Sequence, residues 1–241
     1  MIRALRSRWS SFRRDPLLVA VLAVAVVLPL TVLIALPADL RSALAPIRAG
    51  VATEIDGLVT LVVAAVAAIY GSGRYTVDHR DGVIAREAAM LHRSEILLSR
   101  LLFAVLAGAA VGVVGALSGG LVVGIAAGWE GRGAGSVGAT GVVDAALGAI
   151  CAGWGLSVGI LVRHHLPALV MAPLLLSAVL AVAPMAPGVA AWFPLPLIAE
   201  AVGAELSVAA PGRATAIVLA ALGIAALLCA AAVRFLRTDI R

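Results

Sequence analysis

Long, uninterrupted runs of apolar residues follow one another along the chain and are separated by short polar segments. A helix needs about 20 apolar residues to cross a bilayer. We therefore predict six membrane-spanning helices, at residues 17–36, 57–71, 101–126, 137–162, 166–185 and 214–233. The second reaches a spanning length if it begins near Ala52. Apolar and polar positions do not alternate within the runs, so the strands of a membrane barrel are not expected.

The third apolar run is longer than one span needs. It extends from residue 96 to residue 129, which corresponds to about 51 Å of helix at 1.5 Å per residue. This length is too great for one span and too small for two spans joined by a turn. We predict a single helix that projects into the cytoplasm at its start, with Gly119-Gly120 as a candidate break.

The composition agrees with a membrane location. Hydrophobic residues make up 63% and charged residues 13% of the 241 residues, against about 45–50% and about 25% in soluble domains. One core of this size cannot bury so much apolar surface, and in lipid only helices and closed barrels satisfy their backbone hydrogen bonds. No low-complexity linker divides the chain. We predict an all-α integral membrane protein with a single domain, residues 1–241.

The basic residues indicate the orientation of the chain. All eighteen are arginine, and the cytoplasmic segments of membrane proteins are enriched in basic residues. With the N-terminus inside, fourteen arginines fall in cytoplasmic segments and four fall outside. We therefore expect both termini to be cytoplasmic. Since the chain has no lysine, it cannot form the usual phosphate-binding loop of ATPases, so it is not expected to hydrolyse ATP itself.

Two further segments are predicted to lie at the membrane surface or to dip into it. Residues 1–15 place four apolar side chains, from Ile2 to Phe12, on one helical face and arginines on the rest, which predicts an amphipathic interfacial helix. A merely basic tail is the alternative. Residues 186–212 are too apolar for a free loop and too rich in proline for a straight span. We expect a re-entrant segment on the outside, buried against protein.

The most polar segment, residues 72–100, is predicted to be a cytoplasmic loop. Eleven of its residues are Arg, Asp, Glu or His. From residue 83 to residue 98, apolar positions recur among charges at a helical spacing, which favours an amphipathic helix that docks a cytoplasmic partner. A solvated connector between two spans is the alternative.

This loop resembles the signature region of ATP-binding-cassette (ABC) type 2 permeases. In that family an acidic residue and a glycine precede a short amphipathic helix, and a basic residue then leads into the third span. Here Asp78-His79-Arg80-Asp81-Gly82 is similar to the opening, residues 83–91 to the helix, and Arg93 and Arg100 to the basic positions. The family often has Pro-Arg where this chain has His92-Arg93. The ending Phe235-Leu236-Arg237-Thr238-Asp239-Ile240-Arg241 is also similar to family endings.

The resemblance covers essentially the whole chain and implies a function. Such permeases pair as two copies or two related chains in the bacterial plasma membrane, and each holds one cytoplasmic ATPase subunit, which binds ATP and Mg²⁺. Most members are exporters. No cofactor is implied for this chain, and no nucleic-acid partner. The resemblance implies a coupling surface at these positions: Arg80, Asp81, Gly82, Arg86, Glu87 and His92, with a smaller second contact at Arg163, His164 and His165.

Few residues within the spans offer chemistry. Asp144 lies near the outer end of the fourth span, and we expect it to reach the outer interface. The alternative hypothesis is that it contacts a cationic substrate, since an acid within a span is often functional. His164 and His165 point about 100° apart on a helix, so they are not expected to share a metal ion. With no Asn or Gln in the chain, the interior favours an amphipathic or lipid-like substrate over a sugar.

Glycines recur at a spacing of four within the third span, as in Gly108 with Gly112 and Gly115 with Gly119. Small residues at this spacing let helices approach closely. Packing within the chain and a seam between two copies are both compatible with this pattern.

Other function classes remain open beside the exporter subunit. A permease-like assembly factor of the cytochrome-maturation type would share the general plan. An intramembrane enzyme should gather its polar residues at one depth within the spans, but here they cluster on the predicted cytoplasmic face. A channel should carry a ring of polar residues along a span, and Asp144 alone does not form one.

Overall fold

A computed structural model describes residues 15–37, 40–127, 134–204, 206, 208 and 210–237. The chain folds into helices that we number in order: α1 Pro16–Ala35, α2 Ala45–Arg80, α3 Val83–Ala88, α4 Arg93–Ala127, α5 Ala134–Val162, α6 His165–Val182, α7 Pro187–Ala190, α8 Pro194–Val202 and α9 Arg213–Arg237. A 3₁₀ turn, Leu40–Ser42, precedes α2.

Six of these helices, α1, α2, α4, α5, α6 and α9, are long and apolar enough to cross a membrane. The predicted number of spans is therefore confirmed for the described residues, and the chain is a helical, multi-pass membrane protein. The predicted interfacial helix at 1–15 lies outside the described residues, except for its last residue, Asp15.

The start of α1 shows how local sequence sets a helix boundary. The Asp15 side chain accepts a hydrogen bond from the backbone N–H of Leu17 at 3.0 Å, and Pro16 occupies the first helical position. A carboxylate before the first turn and a proline within it are both favourable there. At the other end, Leu36 is extended because it precedes Pro37. The first span is thus bounded by residues that start and stop a helix.

The three helices α2, α4 and α5 pack against one another and form the centre of the bundle. At least half of the residues in their spanning segments are buried, whereas α1, α6 and α9 bury only about a fifth of theirs. The peripheral helices therefore present most of their apolar surface to their surroundings, as expected where lipid is the solvent.

The crossing of α4 and α5 depends on glycine. A Cβ atom at Gly108 would overlap the backbone of Gly148, and one at Gly112 would overlap the backbone of Asp144. Gly115 and Gly119 lie against valine side chains of α2. These glycines of the third span are therefore occupied by packing within the chain, which is one of the two uses that the spacing allowed.

The structure differs from the predicted boundaries of the second and third spans. Helix α2 extends beyond the predicted 57–71 at both ends and includes the first nine residues of the predicted loop at 72–100. Polar residues of that stretch, among them Thr76 and Asp78, are buried against other helices, so a hydropathy pattern underestimates the helix. Helix α4 continues through Gly119-Gly120, because neighbouring helices fill the space beside it. The predicted break is absent from α4.

Before the last span, residues 187–202 form the two short helices α7 and α8. Leu195, Leu197 and Ile198 of α8 are buried, and α8 packs against α5, α6 and α9. Gly203 adopts a left-handed conformation, with φ of 85°, and ends α8. The apolar sequence of this segment is thus explained by contacts with protein.

Replacing Gly148 with alanine should destabilise the protein by about 1–3 kcal/mol, because overpacking at a tight crossing forces the helices apart. Thermal unfolding in detergent would measure the loss. The matched control is Gly141→Ala on the same helix, where a Cβ atom meets nothing within 4 Å. There alanine should leave the melting temperature unchanged or raise it, since it favours the helix over glycine by up to about 1 kcal/mol. Equal losses in both variants would contradict the close crossing.

Candidate functional site

One end of the bundle brings together the polar ends of several helices. The Tyr70 hydroxyl donates to Asp15 at 3.1 Å, Thr76 Oγ1 lies 2.8 Å from His165 Nδ1, and Arg93 donates to the backbone oxygen of Leu236 at 2.9 Å. These bonds join the start of α1, the end of α2, the starts of α4 and α6, and the end of α9. We call this region, with residues 81–92 and 163–165, the arginine-rich end.

A continuous series of ion pairs crosses the arginine-rich end. Arg74 contacts Asp15 at 3.1 Å and Asp78 at 3.2 Å, and Asp78 contacts Arg100 at 2.6 Å. Arg100 also contacts Glu87 of α3 at 3.0 Å. We call these five residues the charge chain. It connects α1, α2, α3 and α4, so the short helix α3 is linked through side chains to three spanning helices.

The centre of the charge chain is removed from water. Asp78 is 2% exposed and Arg100 is 4% exposed, and the Arg100 guanidinium lies 5.9 Å from the centre of the Tyr75 ring. A buried ion is costly unless it is paired and hydrogen-bonded. Because Arg100 places one nitrogen on Asp78 and another on Glu87, it fixes both carboxylates with the planar geometry that suits arginine.

An apolar cluster lies beside the charge chain and holds the same inward side of α3, since Ile84 and Glu87 are three residues apart and share one helix face. Ile84 of α3 is buried with Tyr75 of α2, Ile96 of α4 and Phe235 of α9, and Leu91 packs against them. The helix is therefore attached both by apolar contacts and by the Glu87–Arg100 ion pair. A displacement of α3 must disturb α2, α4 or α9.

Two tight turns frame this end. Asp81 and Gly82 join α2 to α3, and Gly82 has a φ of 68°, a conformation that glycine adopts at little cost. Arg163, between α5 and α6, has a φ of 64° although it is not glycine, which costs about 1–2 kcal/mol. Arg163 interacts electrostatically with Tyr75 and His79.

The structure divides the predicted site residues into two groups. Arg80, Asp81, Arg86, His92 and His164 are exposed on the arginine-rich end. The others are held within the chain or form a turn: Glu87 pairs with Arg100, His165 bonds with Thr76, Arg163 is partly buried, and Gly82 forms the turn. The exposed group and the inward group lie on opposite sides of the same short segments.

Sequence reasoning missed the inner members of the charge chain as site residues. The sequence pattern marks Asp78 and Arg100 only as motif positions, and it does not mark Asp15 or Arg74 as site residues. Two signals were available. Arg74 and Asp78 are four residues apart, a spacing that favours ion pairs on a helix, and Asp15 directly precedes a proline at a helix start. The pairing of Arg100 with Asp78 is a tertiary contact and has no local signature.

Asp144 does not reach the interface that we expected for it. It is 4% exposed, because the close approach of α4 at Gly112 covers this part of α5. It lines a cavity of about 230 Å³ together with Asp56 and Thr60 of α2. The expectation of an interfacial carboxylate is wrong, and Asp144 is instead a buried acid beside a cavity.

A larger, apolar groove lies between α5, α8 and α9. Its volume is about 500 Å³, and Trp154, Trp192, Leu197 and Ile224 are among the residues that line it. The Trp154 indole N–H is buried and has no hydrogen-bond acceptor among the residues that the structure describes. The groove is thus apolar with one buried donor at its wall.

Neither known proteins nor a metal-binding group of side chains assigns a function to this chain. Neither a protein-family model nor a curated protein matches this chain. Within the described part of the chain, no three His, Cys, Asp or Glu side chains come together in a group that could hold a metal ion. The geometry of the arginine-rich end is therefore the basis for a functional proposal.

Replacing Arg100 with methionine should lower the free energy of unfolding by up to about 3–5 kcal/mol, because it removes a buried cation from Asp78, which keeps only Arg74, and from Glu87. Thermal unfolding in detergent would measure the effect. Arg80→Met is the matched control, since its ion pair with Asp81 is exposed and worth less than about 1 kcal/mol.

Arg100→Lys should fall between these two variants, since it keeps the charge but cannot hold two carboxylates in one plane. If Arg100→Met were no more destabilising than Arg80→Met, the charge chain would not contribute to stability and this account of the site would be wrong.

Proposed function

We propose that this chain is the membrane subunit of an ABC exporter, driven by ATP that a separate cytoplasmic ATPase subunit hydrolyses. The observation that carries the proposal is the attachment of α3. Its outer side offers exposed residues to a partner, while its inner side is linked to three spans through Glu87, Arg100 and the rest of the charge chain.

The partner surface that we propose consists of the exposed residues around α3. Arg80, Asp81 and Arg86 are exposed there, and the Met90 side chain is 78% exposed. In this proposal the Met90 side chain supplies an apolar contact among these charges. His92 and His164, also exposed, extend the same surface. In this proposal ATP and Mg²⁺ bind to the partner.

Transmission through α3 has a physical basis in this proposal. Closure of two ATPase subunits would displace α3, and the buried Arg100 contacts would carry the displacement to α2 and α4. Nucleotide would then shift the population between two arrangements of the spans, because the ATPase binds one of them better. A polar network in a low-dielectric setting suits this task, since breaking any one pair is costly.

The remaining elements fit the proposal as follows. The chain pairs with a second permease chain in a bacterial plasma membrane, with both termini in the cytoplasm and residues 186–212 as a re-entrant segment on the outside. The apolar groove beside Trp154 suits an amphipathic or hydrophobic substrate.

Reversing the charge at Arg86 or Arg80 should reduce binding of the ATPase without unfolding the membrane part, because both side chains are exposed. The chain would be co-expressed with the ATPase encoded by the neighbouring open reading frame, and the ATPase retained on the tagged chain would be quantified. We expect Arg86→Glu to lower retention of the ATPase about tenfold or more, because the variant would place a negative charge opposite a complementary, acidic contact on the partner.

Arg213→Glu is the matched control. Arg213 is exposed at the start of α9, at the other end of that helix from the arginine-rich end, so its reversal should leave retention unchanged. All three variants should keep the parental melting temperature. The absence of an ATPase gene beside this one, together with failure of any ATPase to co-purify, would refute the proposed function.

The orientation can be tested separately by labelling cysteines in a variant that lacks Cys151 and Cys229. With a membrane-impermeant maleimide, Met185→Cys should react in intact spheroplasts, because Met185 is 89% exposed and lies on the predicted outside. Met90→Cys should react only after the membrane is permeabilised. The opposite pattern would reverse the proposed orientation and remove the cytoplasmic partner surface.

A further inference from the structure

The cavity beside Asp144 lies among the three central helices. Asp56, Val59 and Thr60 of α2 line it, together with residues of α4 and α5 and with Gly203 and Ala204 after α8. It is separate in sequence and position from the charge chain, which occupies the last turns of α2 and the first turns of α4. No pattern in the sequence predicts that Asp56 and Asp144 line the same cavity.

Asp144 is a buried acceptor that the described residues do not satisfy. Among the residues that the structure describes, none donates a hydrogen bond or pairs as a cation with its carboxylate, although it is 4% exposed. An ionised carboxylate only accepts hydrogen bonds, and burying it without a donor is costly. A second carboxylate, Asp56, interacts with it unfavourably. A cationic donor in the cavity would relieve both costs.

The lining indicates which kind of cation fits. Besides the two carboxylates, the Thr60 and Thr140 hydroxyls line the cavity, and the other described lining residues are small and apolar. None of the described lining residues is aromatic, so this part of the wall offers no ring of the kind that binds quaternary ammonium groups. A hard divalent ion prefers six or more oxygen ligands, and the described side chains supply only two carboxylates and two hydroxyls. A group with N–H donors and a short alkyl part matches both the polar and the apolar positions.

The volume agrees with this choice. The cavity measures about 230 Å³, while a water molecule occupies about 30 Å³ in the liquid. It can therefore accept a small alkylammonium group, which is larger than a bare metal ion and smaller than a lipid molecule.

We propose that this cavity binds a primary alkylammonium group, held by Asp144 and Asp56. In the setting of the proposed function, on which this part of the inference rests, the group belongs to the transported substrate. Binding itself requires no ATPase, so the site and the proposed function can fail independently.

Equilibrium binding of radiolabelled butylammonium to the purified full chain, in nanodiscs of phosphatidylglycerol, tests the proposal. We expect saturable binding that Asp144→Asn weakens about tenfold or more, since the variant removes the charge and keeps the shape. Glu54→Gln is the matched control, because Glu54 is exposed on α2, the helix that carries Asp56, and does not line the cavity. Its affinity should be unchanged.

A second measurement does not depend on any variant folding. Tetramethylammonium, which has no N–H donor, should compete with butylammonium at least about tenfold more weakly than propylammonium does. Adding phosphatidylethanolamine to the nanodiscs distinguishes the source of the group. Competition by this lipid would identify a lipid headgroup as the occupant, and unchanged binding would identify a free amine.

The proposal is overturned if butylammonium does not bind saturably, if Asp144→Asn binds it as well as the parent, or if tetramethylammonium competes as well as propylammonium. Failure of any ATPase to co-purify with the parent chain, with butylammonium binding intact, would remove the proposed function and leave the site.

Discussion

The contact between Asp78 and Arg100 is the constraint on which the arginine-rich end depends. Both residues are almost fully buried, and their side chains meet at 2.6 Å. In a chain that is 63% hydrophobic, burying either charge is costly unless it is paired, and this is the pair in which both side chains are buried. The pair therefore fixes the register of α2 against α4. It also fixes α3, because Arg100 holds Glu87 with its second nitrogen.

In the proposed function, a displacement at this contact reaches the rest of the bundle efficiently only if the helices that carry it are stiff. The glycine crossings provide that stiffness, since α4 approaches α5 at Gly108 and Gly112 with backbone against backbone. Interiors packed at such density do not deform continuously and move between discrete arrangements. Helix α2 carries Asp78 near one end and Asp56 nearer the other, so an adjustment at α3 and a change at the cavity act on one continuous helix.

The sequence predicted the spans, their order and the polar end, because these follow from local composition and from the length that a bilayer requires. It did not predict the length of α2. Thr76 and Asp78 look like loop residues by hydropathy, and only their burial against other helices explains why they continue the span. It also placed Asp144 at the interface, since the cover from α4 at Gly112 depends on tertiary packing. Both errors arise where contacts distant in sequence override a local pattern.

The buried charges fall into two groups that differ in one respect. At the arginine-rich end every carboxylate of the charge chain meets an arginine of the same chain, so the carboxylates of this group are complete in their pairing and serve to hold helices together. At the cavity, a carboxylate with no partner among the described residues faces a second carboxylate and an open volume. A folded protein retains such a costly arrangement when something outside the chain completes it. The complete group is thus suited to transmitting force, and the incomplete group to binding a ligand.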